Sequence, residues 1–256
     1  MSENVLSNPP KVNYHEEAPA TNFAEFRKIV ESRRSVRIFT PEKIPDDVVM
    51  DCLDLALLAP TSSNLQCWEF WWVRDESKLQ RLHEACFGQP AASTAQALIV
   101  CLARTETWKK HREQMLEVLR ASPGTPKSVM MYYEKLVPFV YGQGPLGLFG
   151  LLKKYLITPI LGLFRVVPRG PFGESGMREW AHKTTALACE NLMLAFRAAG
   201  YDTCPMEGFD EVRVRKILDL PSDASVCMII GAGKRAPGGI YSPRIRFPRS
   251  QFIKIT

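Results

Sequence analysis

The run of residues 177–199 restricts the fold of this 256-residue chain more than any other segment. Trp180, Leu187, Ala188, Leu192, Ala195 and Phe196 recur at helical spacing, and Gly200 ends the run. A helix that is apolar on most of its circumference has no stable place in water; it belongs in a core or a subunit interface. Other elements must supply apolar faces to cover it. Asn22-Phe23-Ala24-Glu25 pairs a capping residue with a glutamate three places on, which predicts a helix to about Ser32. Pro45-Asp46-Asp47 opens a second helix with the face Val48, Val49, Cys52, Leu53 and Ala56, stopped by Pro60. Residues 69–73, 97–102 and 225–231 have the β-branched and aromatic content of strands. Asp210 caps a helix through Leu218, closed by Pro221. Helices around a small sheet, with no repeat and no low-complexity linker, predict the α+β class and one domain over residues 22–256. Residues 1–21, with Pro9, Pro10 and Pro19, read as a flexible arm without the basic-then-apolar order of a signal peptide.

Composition excludes several classes. Hydrophobic residues at 46% and charged residues at 23% rule out a disordered or fibrous chain. Lys+Arg minus Asp+Glu is 33 − 27 = +6, enough to favour an anionic ligand or a membrane surface and too little to point to nucleic acid. Seven scattered cysteines, without C-x-x-C and mostly inside apolar runs, read as buried thiols in a reducing compartment, the cytoplasm. The four histidines form no H-x-x-x-H, and His83 with Cys86 lacks a second ligand pair, so no metal site is expected. There is no Gly-x-Ser-x-Gly elbow and no Walker motif. Gly231-Ala232-Gly233 is followed by Pro237-Gly238-Gly239 rather than a helix, which argues against a Rossmann site.

Residues 136–167 form an apolar insertion, rich in Leu, Phe, Ile and Gly and broken by Pro145, Pro159 and Lys153-Lys154. Lysines in its middle make it a poor membrane span. One reading makes it a lid or packed insertion, with Phe149, Leu151 and Phe164 as an apolar roof and Gly142, Gly144, Gly147 and Gly150 as flexible points. Another gives it a weak peripheral membrane contact through 136–169, with Lys153, Lys154, Arg165 and Arg169 against anionic lipid.

Arg33-Arg34-Ser35-Val36-Arg37 is the densest basic cluster, and its guanidinium forks with a hydroxyl between them suit a phosphate. In the second set, Pro243-Arg244-Ile245-Arg246-Phe247-Pro248, an extended backbone sets Arg244 and Arg246 side by side. These two blocks, with Ala59-Pro60-Thr61-Ser62-Ser63-Asn64-Leu65-Gln66-Cys67-Trp68 and Pro205-Met206-Glu207-Gly208-Phe209-Asp210 between them, resemble the flavin-dependent nitroreductase family in that order. The resemblance implies an α+β sandwich, with a central antiparallel or mixed sheet flanked by helices. It also implies an intertwined homodimer with FMN at each of two interface sites, the apolar run at 177–199 serving as the central dimer helix.

By that resemblance, Arg33, Arg37, Arg244 and Arg246 hold the FMN phosphate, and Arg34 and Ser35 meet the ring edge and ribityl chain. Pro60, Thr61, Ser62 and Asn64 reach the partner's cofactor. Pro205, Met206, Glu207 and Gly208 run along one flavin face, with a backbone N–H near Glu207 facing N5. Gln89 is the candidate for the Asn or Gln that often binds the ring, and Cys67 stands where the family commonly has Pro. The implied activity is hydride transfer from NADH or NADPH through FMN to a small electron-poor acceptor, nitroaromatic or quinone-like, by a ping-pong cycle, with the flavin rather than a side chain carrying the redox step. Reductive dehalogenation or flavin breakdown on the same fold, and a flavin-binding, membrane-peripheral protein without turnover, stay open as alternatives.

Overall fold

The computed structural model describes residues 15–256. Pro9, Pro10 and most of the arm expected over 1–21 lie outside the described residues. The first helix, α1 (Phe23–Ser32), starts where the Asn22 side chain accepts from the N–H groups of Ala24 and Glu25. Next come α2 (Asp46–Leu57), β1 (Trp68–Val73), α3 (Glu76–Ala85), α4 (Pro90–Ser93), β2 (Ala97–Arg104) and α5 (Trp108–Ala121). Four short helices follow: α6 (Lys127–Met131), α7 (Val137–Tyr141), α8 (Leu148–Leu152) and α9 (Thr158–Phe164). The chain closes with α10 (Gly173–Ala198), β3 (Asp202–Met206), α11 (Glu211–Leu218) and β4 (Ala224–Gly233).

The sheet order is β1-β2-β4-β3 and every pair is antiparallel. Alternation along β2 sends Leu98, Val100 and Leu102 to one face and Ala97, Ile99 and Cys101 to the other. The first face packs with Leu82 and Ala85 of α3 and Val214 and Ile217 of α11. The second packs with Val49, Cys52, Leu53 and Ala56 of α2 and with Cys189, Leu192, Met193 and Phe196 of α10. The sheet is therefore covered on both faces, the α+β sandwich expected. The apolar run is the C-terminal part of α10, whose Ala181, Ala188, Leu192 and Phe196 are buried. Leu187, in the same run, is 47% exposed on this chain.

A third apolar cluster joins Trp108 and Leu116 of α5, Tyr133, Val137, Tyr141 and the first turns of α10 through Met177 and Trp180. It seats the insertion. Helices α6 and α7 run on through a π turn (Tyr132–Leu136), and α8 and α9 through another (Lys153–Ile157). Between the two legs is a tight corner. Gly144 has φ +70°, and a Cβ there would sit 2.7 Å from the Phe149 Cβ, so only glycine fits. A Cβ at Gly150 would sit 2.2 Å from Gln143 Oε1. These glycines serve close packing rather than flexibility.

Lys153 corrects a second expectation. It is 1% exposed, and its ammonium donates to the carbonyls of Phe139, Val140 and Gly142 at 2.7–2.8 Å. It caps the end of the first leg, where a cation meets the unpaired carbonyls and the negative end of the helix. Burial pushes its pKa down to about 8. A lysine so placed cannot face lipid. Six of the seven cysteines are buried, and burial pushes the thiols of Cys52 and Cys86 up to about 11 and that of Cys67 to about 12. Those three stay protonated, and the buried cysteines serve as core.

Candidate active site

The segment Arg33-Arg34-Ser35-Val36-Arg37 leaves α1 in extended form and lies along β3. Ser35 forms a parallel bridge with Thr203, and the Val36 N–H donates to the Thr203 carbonyl at 3.1 Å. The C-terminal arginines come back to the same place. Arg244 donates to the Arg33 carbonyl, Arg34 donates to the Ser242 carbonyl, and the Arg37 N–H donates to the Gly239 carbonyl at 2.7 Å. Arg33, Arg34, Ser35, Arg37, Arg244 and Arg246 thus rim one cavity of about 210 Å³. Tyr241, which the sequence reading missed, joins them with its ring 5.1 Å from the Arg37 guanidinium. Its only signal is its place two residues before Pro243 in a segment already singled out for its arginines.

No arginine of this group forms an ion pair with a carboxylate among the described residues. The Nη1 of Arg33 is buried without a hydrogen-bond partner. Five guanidinium groups and an unmet buried donor around a small cavity fit an anion with several acceptor oxygens, such as a phosphate monoester.

β3 leads from this cavity into Glu207 and Gly208. Gln89, at the start of α4, donates through Nε2 to the Gly208 carbonyl at 2.7 Å and to the Cys86 carbonyl at 2.9 Å. Gln89 therefore anchors the turn that follows β3. Beyond it the Asp210 carboxylate caps α11 by accepting from the Arg213 N–H.

The residues 60–64 lie elsewhere in the chain. Ser62–Asn64 is a short 3-10 turn in which Ser63 and Asn64 take φ +55° and +49°. Thr61 Oγ1 accepts from the Gln66 N–H. Ser62 shares a hydrogen bond with the Tyr141 hydroxyl at 2.8 Å, and Ser63 one with the Tyr132 hydroxyl at 2.6 Å. Burial holds the Tyr141 phenol above its ordinary pKa, so it stays a neutral hydroxyl. Ser62 and Ser63 border a second cavity of about 670 Å³, walled by Tyr132, Tyr141, Phe172 and Trp180 and carrying Lys154, Arg169, Lys183 and Glu179.

The two cavities share no residue. Of the insertion, Leu136, Val137, Val140, Tyr141 and Lys154 line the larger one; Phe149, Leu151 and Phe164 do not. The roof expected of those three is therefore corrected. Phe149 packs on Phe139 at 6.0 Å between ring centroids, while Leu151 and Phe164 face outward. Cys67 is wholly buried with its thiol toward the Ala181 carbonyl, so it packs against α10 and takes no part in either cavity.

The sequence pattern of the nitroreductase family matches residues 30–234. The protein named NADH dehydrogenase of Thermus thermophilus is 26% identical over 217 residues, covering 85% of this chain and 90% of its own. YdfN of Bacillus subtilis superposes with a TM-score of 0.73 at 25% identity, over 92% of this chain and all of its own. A protein of Exiguobacterium sibiricum solved in complex with FMN superposes with a TM-score of 0.63 at 24% identity, over 93% of this chain and 99% of its own.

Proposed function

Because the chain belongs to the nitroreductase family, we propose that it is an FMN-dependent oxidoreductase. It takes a hydride from NADH or NADPH and delivers it to a small electron-poor acceptor, nitroaromatic or quinone-like, in a ping-pong cycle. The observation that carries this reading is the arginine cavity, whose arginines form no ion pair with a carboxylate among the described residues and which holds the unmet Arg33 donor. The FMN in the Exiguobacterium relative and the name of the Thermus relative agree with it.

On this reading Arg33, Arg37, Arg244 and Arg246 hold the phosphate, and Arg34 and Ser35 hold the ribityl chain and ring edge. Pro205, Met206, Glu207 and Gly208 lie along one face of the ring, with the Glu207 N–H toward N5. Bound FMN supplies the two-electron redox step. Gln89 fixes the Gly208 carbonyl and so sets the height of that turn. No side chain has to act as a strong acid or base.

The active form is a homodimer built on α10. In it, Pro60, Thr61, Ser62 and Asn64 and the larger cavity of one protomer complete the cofactor site of the other. Residues 22–256 act as one FMN-binding domain with the insertion at 136–167.

The test is spectroscopic. The purified protein should carry the flavin absorbance, bleach anaerobically with NADH or NADPH, and recover its colour on adding menadione or a nitrofuran. Initial-velocity plots should give parallel lines. Protein that stays colourless after FMN is added overturns the reading, and bound flavin that neither nucleotide reduces leaves a flavin-binding protein without turnover.

A further inference from the structure

Residues 135–173 contain Lys135, Lys153, Lys154, Arg165 and Arg169 and no Asp or Glu. Lys153 is consumed inside the fold; Lys154, Arg165 and Arg169 face outward. They lie on or just beyond the second leg, Pro145–Phe164. That helix reaches a mean hydropathy of 1.4 over an 18-residue window with only 17% of the window buried. Leu163 and Phe164 are 80% and 82% exposed, and Leu151, Tyr155, Ile160 and Val166 also face outward. Large apolar side chains exposed together along one leg mark an interaction site.

We propose that this leg docks on an anionic lipid bilayer. It lies in the interfacial plane, its leucines and Phe164 among the upper acyl carbons and Lys154, Arg165 and Arg169 at the headgroup phosphates. Charge selects this occupant. A segment of one sign with apolar residues between its charges complements an anionic headgroup layer, whereas the same segment of a second copy would bring like charges together across a symmetric contact. The leg is tied to the protein along its length: Gly150, Lys153 and Thr158 are buried. That tether makes it an interfacial helix rather than a span. Lys154 and Arg169 also line the larger cavity, so the docked face and the cavity mouth adjoin. On the oxidoreductase reading, which the docking itself does not require, a quinone dissolved in lipid reaches the cavity from the bilayer.

The experiment is flotation of the FMN-loaded full chain, without nucleotide, on vesicles of phosphatidylcholine alone or mixed with phosphatidylglycerol. The protein should float with the mixed vesicles, less with phosphatidylcholine alone, and less again in high salt. Leu163→Ser/Phe164→Ser/Val166→Ser, and separately Arg165→Glu, should each lower vesicle affinity at least about tenfold, with flavin content and circular dichroism unchanged. Failure to float on either vesicle overturns the proposal, as does full affinity in both variants. So does a larger assembly of wild type than of the triple variant in sedimentation, which would mean that copies of the chain cover this face. Binding without reduction of the flavin by NADH or NADPH, and without turnover of menadione or a nitrofuran, would leave the docking intact and sink the oxidoreductase reading alone.

Discussion

Five guanidinium groups around one small cavity repel one another until a negative ligand arrives, so the cost of assembling them is met only when that ligand binds. Arg37→Ala or Arg246→Ala should each weaken FMN binding by roughly 1.5–3 kcal/mol, about ten- to more than a hundredfold in Kd, as fluorescence titration of the apoprotein would read. Lysine at either position should recover only part of the loss, since an ammonium cannot present two parallel donors to one phosphate. Undiminished FMN affinity in Arg37→Ala/Arg246→Ala would show that the phosphate sits elsewhere. These arginines were legible because their chemistry is in their own side chains and their spacing. Lys153 was not. Its place is decided by three carbonyls eleven to fourteen residues earlier, which become acceptors only once a helix ends there. In the sequence it looks the same as its exposed neighbour Lys154.

Between elements, Arg104 at the end of β2 ties Glu69 of β1 to Asp223 just before β4, with Arg104 and Asp223 only 13% and 15% exposed. Burial drives the Asp223 carboxyl up, but the Arg104 guanidinium outweighs it and holds the pKa below the ordinary value. Asp223→Asn should cost roughly 1.5–3 kcal/mol in denaturant unfolding at neutral pH. A carboxyl with a lowered folded pKa stabilises fully above its unfolded pKa of about 4, and that contribution fades as pH falls through the folded value. The gap between wild type and Asp223→Asn should therefore close in acid; a gap independent of pH would mean that the ion pair does not matter. Elements set by local rules were legible in the sequence, such as α1 behind Asn22, α11 behind Asp210 and the apolar strands β2 and β4. β3 was not. It opens on Asp202, an acid buried only because Arg197 and Arg235 flank it, and it carries Pro205, tolerated because β3 is an edge strand.

For the molecule as a whole, the telling arrangement is that the arginine cavity and the Ser62–Ser63 cavity have no residue in common. The sequence blocks named both places but not their separation, because distance along a chain says nothing about which parts of a fold converge. In a homodimer that joins one protomer's arginines to the other's turn, each complete site draws on two polypeptides. Consider a chain carrying Arg37→Ala/Arg246→Ala and another carrying bulky replacements at Ser62 and Ser63. Each alone should be nearly inactive with menadione. Co-expressed, their hybrid gathers both lesions into one site and leaves the other site intact, so activity should return from two crippled parents. If each chain instead built a whole site by itself, the mixture would stay as inactive as its components. Intragenic complementation, scored in cells or on the purified hybrid, thus follows from how two cavities are distributed in a single fold.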